Sequence, residues 1–554
     1  MRHISWLALS LVLGGCSSAG RQGSGAAAVD SLFARFNQPG SLGCAVGASR
    51  DGKPLLARGY GRSNLEHPGP ITPETPFNIG SVGKQFTALA VMLLEQRKRL
   101  SLDDDIRTYV PELPAYDAPI RVRDLLFHTS GLRDEGTLET FAARPVATGP
   151  DFLRLMARQR GLNFTPGSRH QYSHSDYSML GLVVERVTRE PLGDFLSREI
   201  WTPLGMTATR LHDDRGRPVP GRAFAAESTA AGYRVVFPAS AVVGGSNVYT
   251  TIDDLLRWDR NFHTPVVGTP ELLARLTERP RLQSGDVIPY AYGVWLGEYR
   301  GLPTVSRGGG GGGFHTQMIR FPVQRAAVFV LCNTPADATA LAEAVAGVFL
   351  AADLTPMPPD STAQTVETPP DDTAFAGTYA NPEIPWDVIR IVAKDGRIEE
   401  LLPDAAYPLV KLRNGQYYSE GTFYRFSPAA SGRPAHLTLT AKDLRQELDR
   451  APTAPLWRPE NSVLRGLTGS YYSEEIDAAW DIGLERDTLV LRRPHGNIPL
   501  IPVLPLAFIG NYRTPDGQMF PMGIEFATEA GRPTLRATGL KNFEIVRRLR
   551  FDRR

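Results

Sequence analysis

Between Asp30 and Ala351 the chain alternates short apolar runs of strand length with longer amphipathic segments. Cys44 to Ala48 and Pro54 to Gly59 flank Asp51-Gly52, a pair that tolerates the left-handed backbone of a tight hairpin. Thr304 to Ser306, Thr316 to Phe321 and Ala326 to Leu331 predict three further strands, and Ala340 to Leu350 a closing helix. With strands near both ends and mostly helices and loops between, the segment 30–352 predicts one domain of mixed α/β (α+β) class whose sheet draws on both ends of the segment. Phe86 to Leu94 is almost entirely apolar, and a helix apolar on every side belongs in a domain centre.

The pattern changes after residue 352. The stretch 353–372 is rich in Thr, Pro and Asp, with Pro356, Pro358, Pro359, Pro369 and Pro370, and predicts an extended linker. Beyond it nearly everything predicts short strands, and the pattern repeats. Phe375-Ala376-Gly377-Thr378-Tyr379 matches Leu467-Thr468-Gly469-Ser470-Tyr471, Trp386-Asp387-Val388 matches Trp480-Asp481-Ile482, and Gly432-Arg433-Pro434 matches Gly531-Arg532-Pro533. The offsets of about 92 to 100 residues imply two copies of one small all-β, barrel-like module, 373–455 and 464–554.

At the other end, Met1-Arg2-His3 precedes an apolar run, Trp6 to Leu13, too short to cross a bilayer. The run ends Leu13-Gly14-Gly15-Cys16, which resembles a bacterial lipobox. That resemblance implies a signal peptide over 1–15, lipidation at Cys16 and a flexible Ser/Gly/Ala tether over 16–29. Ser17, rather than Asp, follows the cysteine, so the implied address is a cell-envelope lipoprotein on the periplasmic face of the outer membrane.

Composition narrows the field. At 554 residues the chain exceeds the roughly 250–300 at which one core stops growing, so several domains are expected. Sixty-one basic residues against 59 acidic ones leave a net charge of +2, and no basic run makes an electrostatic footprint for nucleic acid. No CxxC or HExxH spacing points to a metal, and no cofactor is implied. Cys44 and Cys332, each in a short apolar stretch, are expected to be buried free thiols.

The chemistry concentrates in Phe77-Asn78-Ile79-Gly80-Ser81-Val82-Gly83-Lys84-Gln85-Phe86-Thr87. A serine hydroxyl needs a base to become a nucleophile. Ser81 and Lys84, three residues apart on a helix, share a face. Burial and the positive helix N-terminus both favour the neutral amine, so Lys84 can take the Ser81 proton.

This motif, with Thr75-Pro76-Phe77, Leu100-Ser101-Leu102-Asp103 and Asp124-Leu125-Leu126-Phe127-His128-Thr129-Ser130-Gly131-Leu132, resembles the β-lactamase-related (penicillin-recognising) serine hydrolases. That family includes class C β-lactamases, DD-carboxypeptidases, D-aminopeptidases and esterases. The resemblance implies a β-lactamase/transpeptidase-like domain with a central antiparallel sheet. It makes Tyr172, in His170-Gln171-Tyr172-Ser173-His174, the catalytic tyrosine that relays the proton. It also exposes two departures. His174 stands where Asn is usual, and Arg307, in Ser306-Arg307-Gly308-Gly309, stands where Lys or His is usual. Arg307 keeps the positive charge, cannot act as a base, and offers a fork that fits a substrate carboxylate. A backbone N–H of Gly309 or Gly310, with Gly310 preferred, is implied to join that of Ser81 as the oxyanion hole. The segment Gly244-Gly245-Ser246-Asn247 resembles a family loop and is taken as architecture, and the helix at His128 is expected to end at Gly131.

The resulting expectation is a secreted serine hydrolase that cleaves an amide or ester through an acyl-serine intermediate. Its substrate would be a small molecule or peptide, a D-amino-acid peptide related to peptidoglycan or an ester, including one bearing a carboxylate. Membrane contact would run through the lipid anchor alone. A β-lactamase is the alternative reaction, and a non-catalytic lipoprotein that binds peptidoglycan or a protein is the alternative of another class.

Overall fold

The computed structural model describes residues 18–355 and 372–554, apart from 68, 215, 230–231, 239, 382–383, 395, 402–405, 413–414, 420–421, 430–434, 442–443, 452–458, 495, 514–518, 530 and 542–543. The expected signal peptide, Cys16 and nearly all of the Pro-rich linker lie outside the described residues. The chain forms two compact units. The first takes in Met1–Leu100, Val187–Pro280 and Val287–Thr355, and the second Ser101–Arg186, Arg281–Asp286 and Pro356–Arg554.

The first unit is built on β1 (Cys44–Arg50), β2 (Lys53–Tyr60), β3 (Tyr290–Ala291), β4 (Val294–Tyr299), β5 (Leu302–Gly311), β6 (Phe314–Phe321) and β7 (Ala326–Cys332). These make one antiparallel sheet in the order β2-β1-β7-β6-β5-β4-β3, so its centre joins the two ends of the segment as expected. The Asp51-Gly52 turn has both residues at positive φ, 54° and 70°. Helices α1 (Ser18–Phe33) and Ala338–Phe349 share a core with the sheet, through Val29, Phe33, Val345 and Leu350 against Val46, Val328 and Val330. Helix α2 (Lys84–Gln96) is buried from Lys84 to Leu94, and Phe86 packs against Trp258 and Trp201 with ring centroids 4.9 Å and 5.8 Å apart.

Two expectations for this unit are corrected. The segment taken as tether is helical from Ser18, and Val29 and Phe33 at its end are fully buried; an apolar face with a sheet to pack on outweighs the low helix propensity of its glycines and serines. Cys44 and Cys332 are not free thiols but a disulfide, because the register of β1 against β7 sets them directly opposite each other.

The second unit contains α3 (Val122–Leu126), α4 (Glu135–Ala142), α5 (Gly149–Met156) and the start of α6 (His174–Thr188). It also contains two all-β bodies. One is a nine-stranded antiparallel sheet running from Gly377–Asn381 to Leu444–Ala451, with Tyr379, Tyr417, Leu437 and Leu448 at its core. The other is a closed eight-stranded barrel running from Gly469–Ser473 to Glu544–Arg553. The sequence repeat has a structural basis. Tyr379 Oη donates to the Phe375 carbonyl, and Tyr471 Oη donates to the Leu467 carbonyl, both at 2.9 Å. In each module an arginine from the last strand, Arg450 or Arg553, lies over the glycine, Gly377 or Gly469, and caps nearby carbonyls.

The barrel is not a detached appendage. Phe141, at the end of α4, is buried against Trp480 and Tyr512, with centroids 5.3 Å and 6.2 Å away, and a Cβ on Gly539 would lie 2.3 Å from its ring. Trp480 Nε1 and Arg493 both donate to the Phe141 carbonyl, at 3.0 Å and 2.6 Å. The helices of 101–186, which the sequence reading placed in the 30–352 domain, share their packing with the barrel. Periodicity does not show this, because Phe141 looks like any apolar helix residue.

Phe141→Ala in the full chain is expected to cost about 3–5 kcal/mol of stability, as for other buried large-to-small changes. Truncation before residue 464 is expected to give a chain prone to aggregate. Denaturant unfolding checks the first; a loss below about 1 kcal/mol would show that the ring is not an anchor.

Candidate active site

The loop that carries Ser81 is positioned by backbone. Phe77–Asn78 pairs with Val248–Thr250, and the Ile79 N–H donates to the Val248 carbonyl at 2.9 Å. The chain then turns at Gly80, whose φ of 50° suits glycine, and the Asn78 side chain accepts the Gly80 N–H at 2.9 Å. Ser81 sits in the short 3₁₀ turn Gly80–Gly83, immediately before α2. The turn is pressed onto β5: a Cβ on Gly309 would lie 2.0 Å from the Ile79 carbonyl oxygen, and one on Gly80 would lie 2.8 Å from Gly310 N. Thr316, opposite Gly309 on β6, brings its hydroxyl to 3.0 Å from the Ile79 carbonyl and 3.1 Å from that of Gly309. The glycine run thus has a steric reason at Gly309, where any side chain would displace the Ile79–Ser81 turn.

Lys84 is fully buried. Its Nζ lies 3.1 Å from Ser81 Oγ and donates to the Gly245 carbonyl at 2.8 Å. As a neutral amine it can keep the bond to Gly245 and turn its lone pair to the serine hydroxyl. Gly245 is a site residue that sequence reasoning treated as scaffold. Its contribution is a carbonyl, which no side-chain motif encodes. The neighbouring Thr87 hydroxyl donates to the Gly244 carbonyl at 2.8 Å, so the loop is tied to α2 at two points.

Arg307 is buried, 4% exposed, on β5. Its Nε donates to the Ser81 carbonyl at 3.2 Å and its guanidinium lies 5.6 Å from the centroid of the Tyr290 ring. Ser81, Lys84, Arg307, Gly309 and Gly310 therefore come together in the first unit.

Tyr172 and His174 lie in the second unit, where their rings stand 5.5 Å apart. The segment that carries them is held by the stretch 128–135. The Gln171 N–H donates to the His128 carbonyl at 2.9 Å, the His174 N–H donates to Asp134 Oδ2 at 2.9 Å, and the Ser175 hydroxyl donates to the Arg133 carbonyl at 2.8 Å. His128 is fully buried, its ring edge-on to that of Tyr172 at 4.6 Å, and its Nδ1 lies 2.8 Å from Asp176. The Ser130 hydroxyl donates to the other oxygen of Asp176. Helix α3 stops at Leu126, earlier than expected. His128 adopts a φ of 56°, and the Thr129 N–H donates to the Asp124 carbonyl at 2.7 Å, which closes the helix before Gly131. His170, next to this cluster, is held neutral by burial, its pKa pushed down to about 4.

Among the described residues no group of His, Cys, Asp and Glu has the arrangement to hold a metal ion.

Residues 29–353 match the Beta-lactamase family model. A D-aminopeptidase of Gluconobacter oxydans is 27% identical over 362 residues, covering 64% of this chain and 66%, just under two thirds, of that protein. A D-aminopeptidase of Brucella anthropi is 24% identical over 446 residues, 80% of each chain. Among solved structures, the octameric penicillin-binding protein homologue of Pyrococcus abyssi aligns over 97% of this chain and all of its own, with a TM-score of 0.52 and 18% identity. The D-amino acid amidase of Ochrobactrum anthropi covers 60% of this chain and 99% of its own, with a TM-score of 0.51 and 22% identity. At such identities the structural likeness establishes the fold, a β-lactamase/transpeptidase-like α/β domain with β-barrel sheets added after it. The family match spans more than half of the sequence, and the chain belongs to the beta-lactamase family.

Proposed function

We propose that the chain is a serine hydrolase that cleaves an amide of a D-amino acid or D-peptide, or an ester, through an acyl-Ser81 intermediate. The observation that carries this reading is the fully buried Lys84 amine, 3.1 Å from Ser81 Oγ. Ser81 Oγ attacks the carbonyl carbon as its proton passes to Lys84 Nζ. The oxyanion forms against the N–H groups of Ser81 and Gly310. The C–N or C–O bond breaks, and the leaving amine or alcohol takes the proton, a relay given to Tyr172 by its motif. Water then releases the acid and restores Ser81. The D-aminopeptidases among the relatives support the D-amino-acid preference. Arg307 is a carboxylate site in the sequence reading; its bond to the Ser81 carbonyl supports a second duty, holding the nucleophile turn.

Export and lipid anchoring at Cys16 belong to the same proposal. The Cys44–Cys332 disulfide supports an oxidising compartment. Among the described residues no helix is long and apolar enough to cross a membrane.

Ser81→Ala is expected to abolish hydrolysis of D-amino-acid amides and labelling by a fluorophosphonate. Lys84→Ala is expected to lower kcat by about 10²–10⁴-fold near neutral pH, and turnover close to wild type would remove Lys84 as the base.

Arg307→Gln separates the two roles on a matched acid and methyl-ester pair. A carboxylate role predicts a loss of about ten- to a hundredfold in kcat/KM for the acid alone. Equal losses on both would leave only the bond to Ser81.

Cys16→Ser is expected to move the protein from the membrane pellet to the soluble fraction. Retention in the pellet after a salt wash would refute anchoring through this residue.

A further inference from the structure

The turn between the first two strands of the closed barrel carries Glu474-Glu475-Ile476-Asp477. Three of these are acidic, yet Glu475 is buried, its side chain 9% exposed. Its Oε2 accepts from Arg133 Nη1 at 2.5 Å and from the Arg160 N–H at 2.8 Å, and its carbonyl accepts from Gln159 Nε2 at 3.0 Å. Arg133, 5% exposed, spends its fork on the same neighbourhood: Nη1 also reaches Gln159 Oε1 at 3.2 Å, and Nη2 donates to the Arg547 carbonyl on the last barrel strand at 3.1 Å. A buried pair this well hydrogen-bonded fixes geometry more than it adds stability.

What it fixes is specific. The Arg133 carbonyl accepts from Ser175, the adjacent Asp134 carboxylate accepts the His174 N–H, and the Glu135 N–H donates to the Ser175 hydroxyl at 2.8 Å. Every one of these bonds grips the residues that follow Tyr172. A run of contacts thus passes from the barrel turn through Arg133 and Asp134 to the tyrosine segment.

We infer that Glu475 is a positioning residue for Tyr172, acting through Arg133, so that the barrel sets the geometry of the catalytic segment rather than only adding bulk. This rests on the assignment of Tyr172 proposed above. A misplacement of about 1 Å in such a group can cost about a hundredfold in rate without weakening substrate binding.

The test uses the full chain, with kcat, KM and the rate of fluorophosphonate labelling at Ser81 measured on a D-amino-acid amide series. Glu475→Ala is expected to lower kcat at least about tenfold, with KM within about twofold of wild type, and to slow labelling. Glu475→Gln, which keeps an acceptor oxygen for Arg160 and Arg133, is expected to recover part of the loss. Arg536→Gln, which breaks the Arg536–Glu529 pair elsewhere on the barrel, is expected to match wild type. A folded Glu475→Ala with wild-type kcat overturns the inference, as does an equal loss in Arg536→Gln. If Glu475→Ala does not fold, Arg133→Lys decides: it keeps the charge but not the fork, and wild-type kcat there refutes the coupling. Absence of Ser81 labelling in the wild-type chain is a separate outcome that removes the underlying site reading, and the inference with it.

Discussion

A lysine amine closed off from water, between a serine hydroxyl and a backbone carbonyl, constrains everything around it. An isolated ammonium in such a place is costly, so the surroundings must supply partners and allow the neutral form. Ser81 and the Gly245 carbonyl are among its partners. Keeping them in register requires the Gly80–Gly83 turn before α2 to sit on the sheet at a fixed depth. That depth is set where the Ile79 carbonyl meets β5 at Gly309 and the Thr316 hydroxyl. The apolar sides of α2, with Phe86 wedged between two tryptophans, prevent it from sliding out. Ser81 is thus held by sterics on one side and by buried packing on the other.

The second unit solves a different problem. The segment 170–175, irregular up to the first residues of α6, cannot fix its own backbone, because its amides lack helix or strand partners. Side chains from 128–135 supply missing acceptors, the buried His128 and Asp134, and His128 is in turn held by the buried Asp176 of α6. Such a network is rigid only when every member is satisfied, which ties the segment to the groups packed against it. The repeated modules are simpler. Their shared Tyr–carbonyl bond and arginine-over-glycine cap explain why the same short string recurs in both.

Much of this was legible in the residues. The hairpin at Asp51-Gly52, the sheet drawn from both ends, the buried helix after Lys84 and the two modules each follow from a local signal: turn chemistry, periodicity or repetition. The Ser81–Lys84 pair was visible because helical spacing alone puts the two side chains together. What escaped depends on partners distant in sequence. Gly245 acts through a carbonyl, the cysteines through strand register, and Phe141 and Arg133 through a barrel that begins more than three hundred residues later. Helix α3 ended early for a related reason: a histidine in left-handed conformation is sustained by its acceptors, not by its own preference.

The pairing of β1 with β7 also imposes an order on assembly. The two strands lie 288 residues apart at the cysteines, so a chain made from its N-terminus presents β1 long before its central neighbour exists. Until then the β1 edge of the β1–β2 hairpin is open, with a lone thiol at its base, an arrangement that invites pairing with the wrong strand or the wrong cysteine. The sheet under Ser81 therefore cannot close until β7 has been made, and a chaperone or oxidase that acts on this protein would find its target in the waiting hairpin.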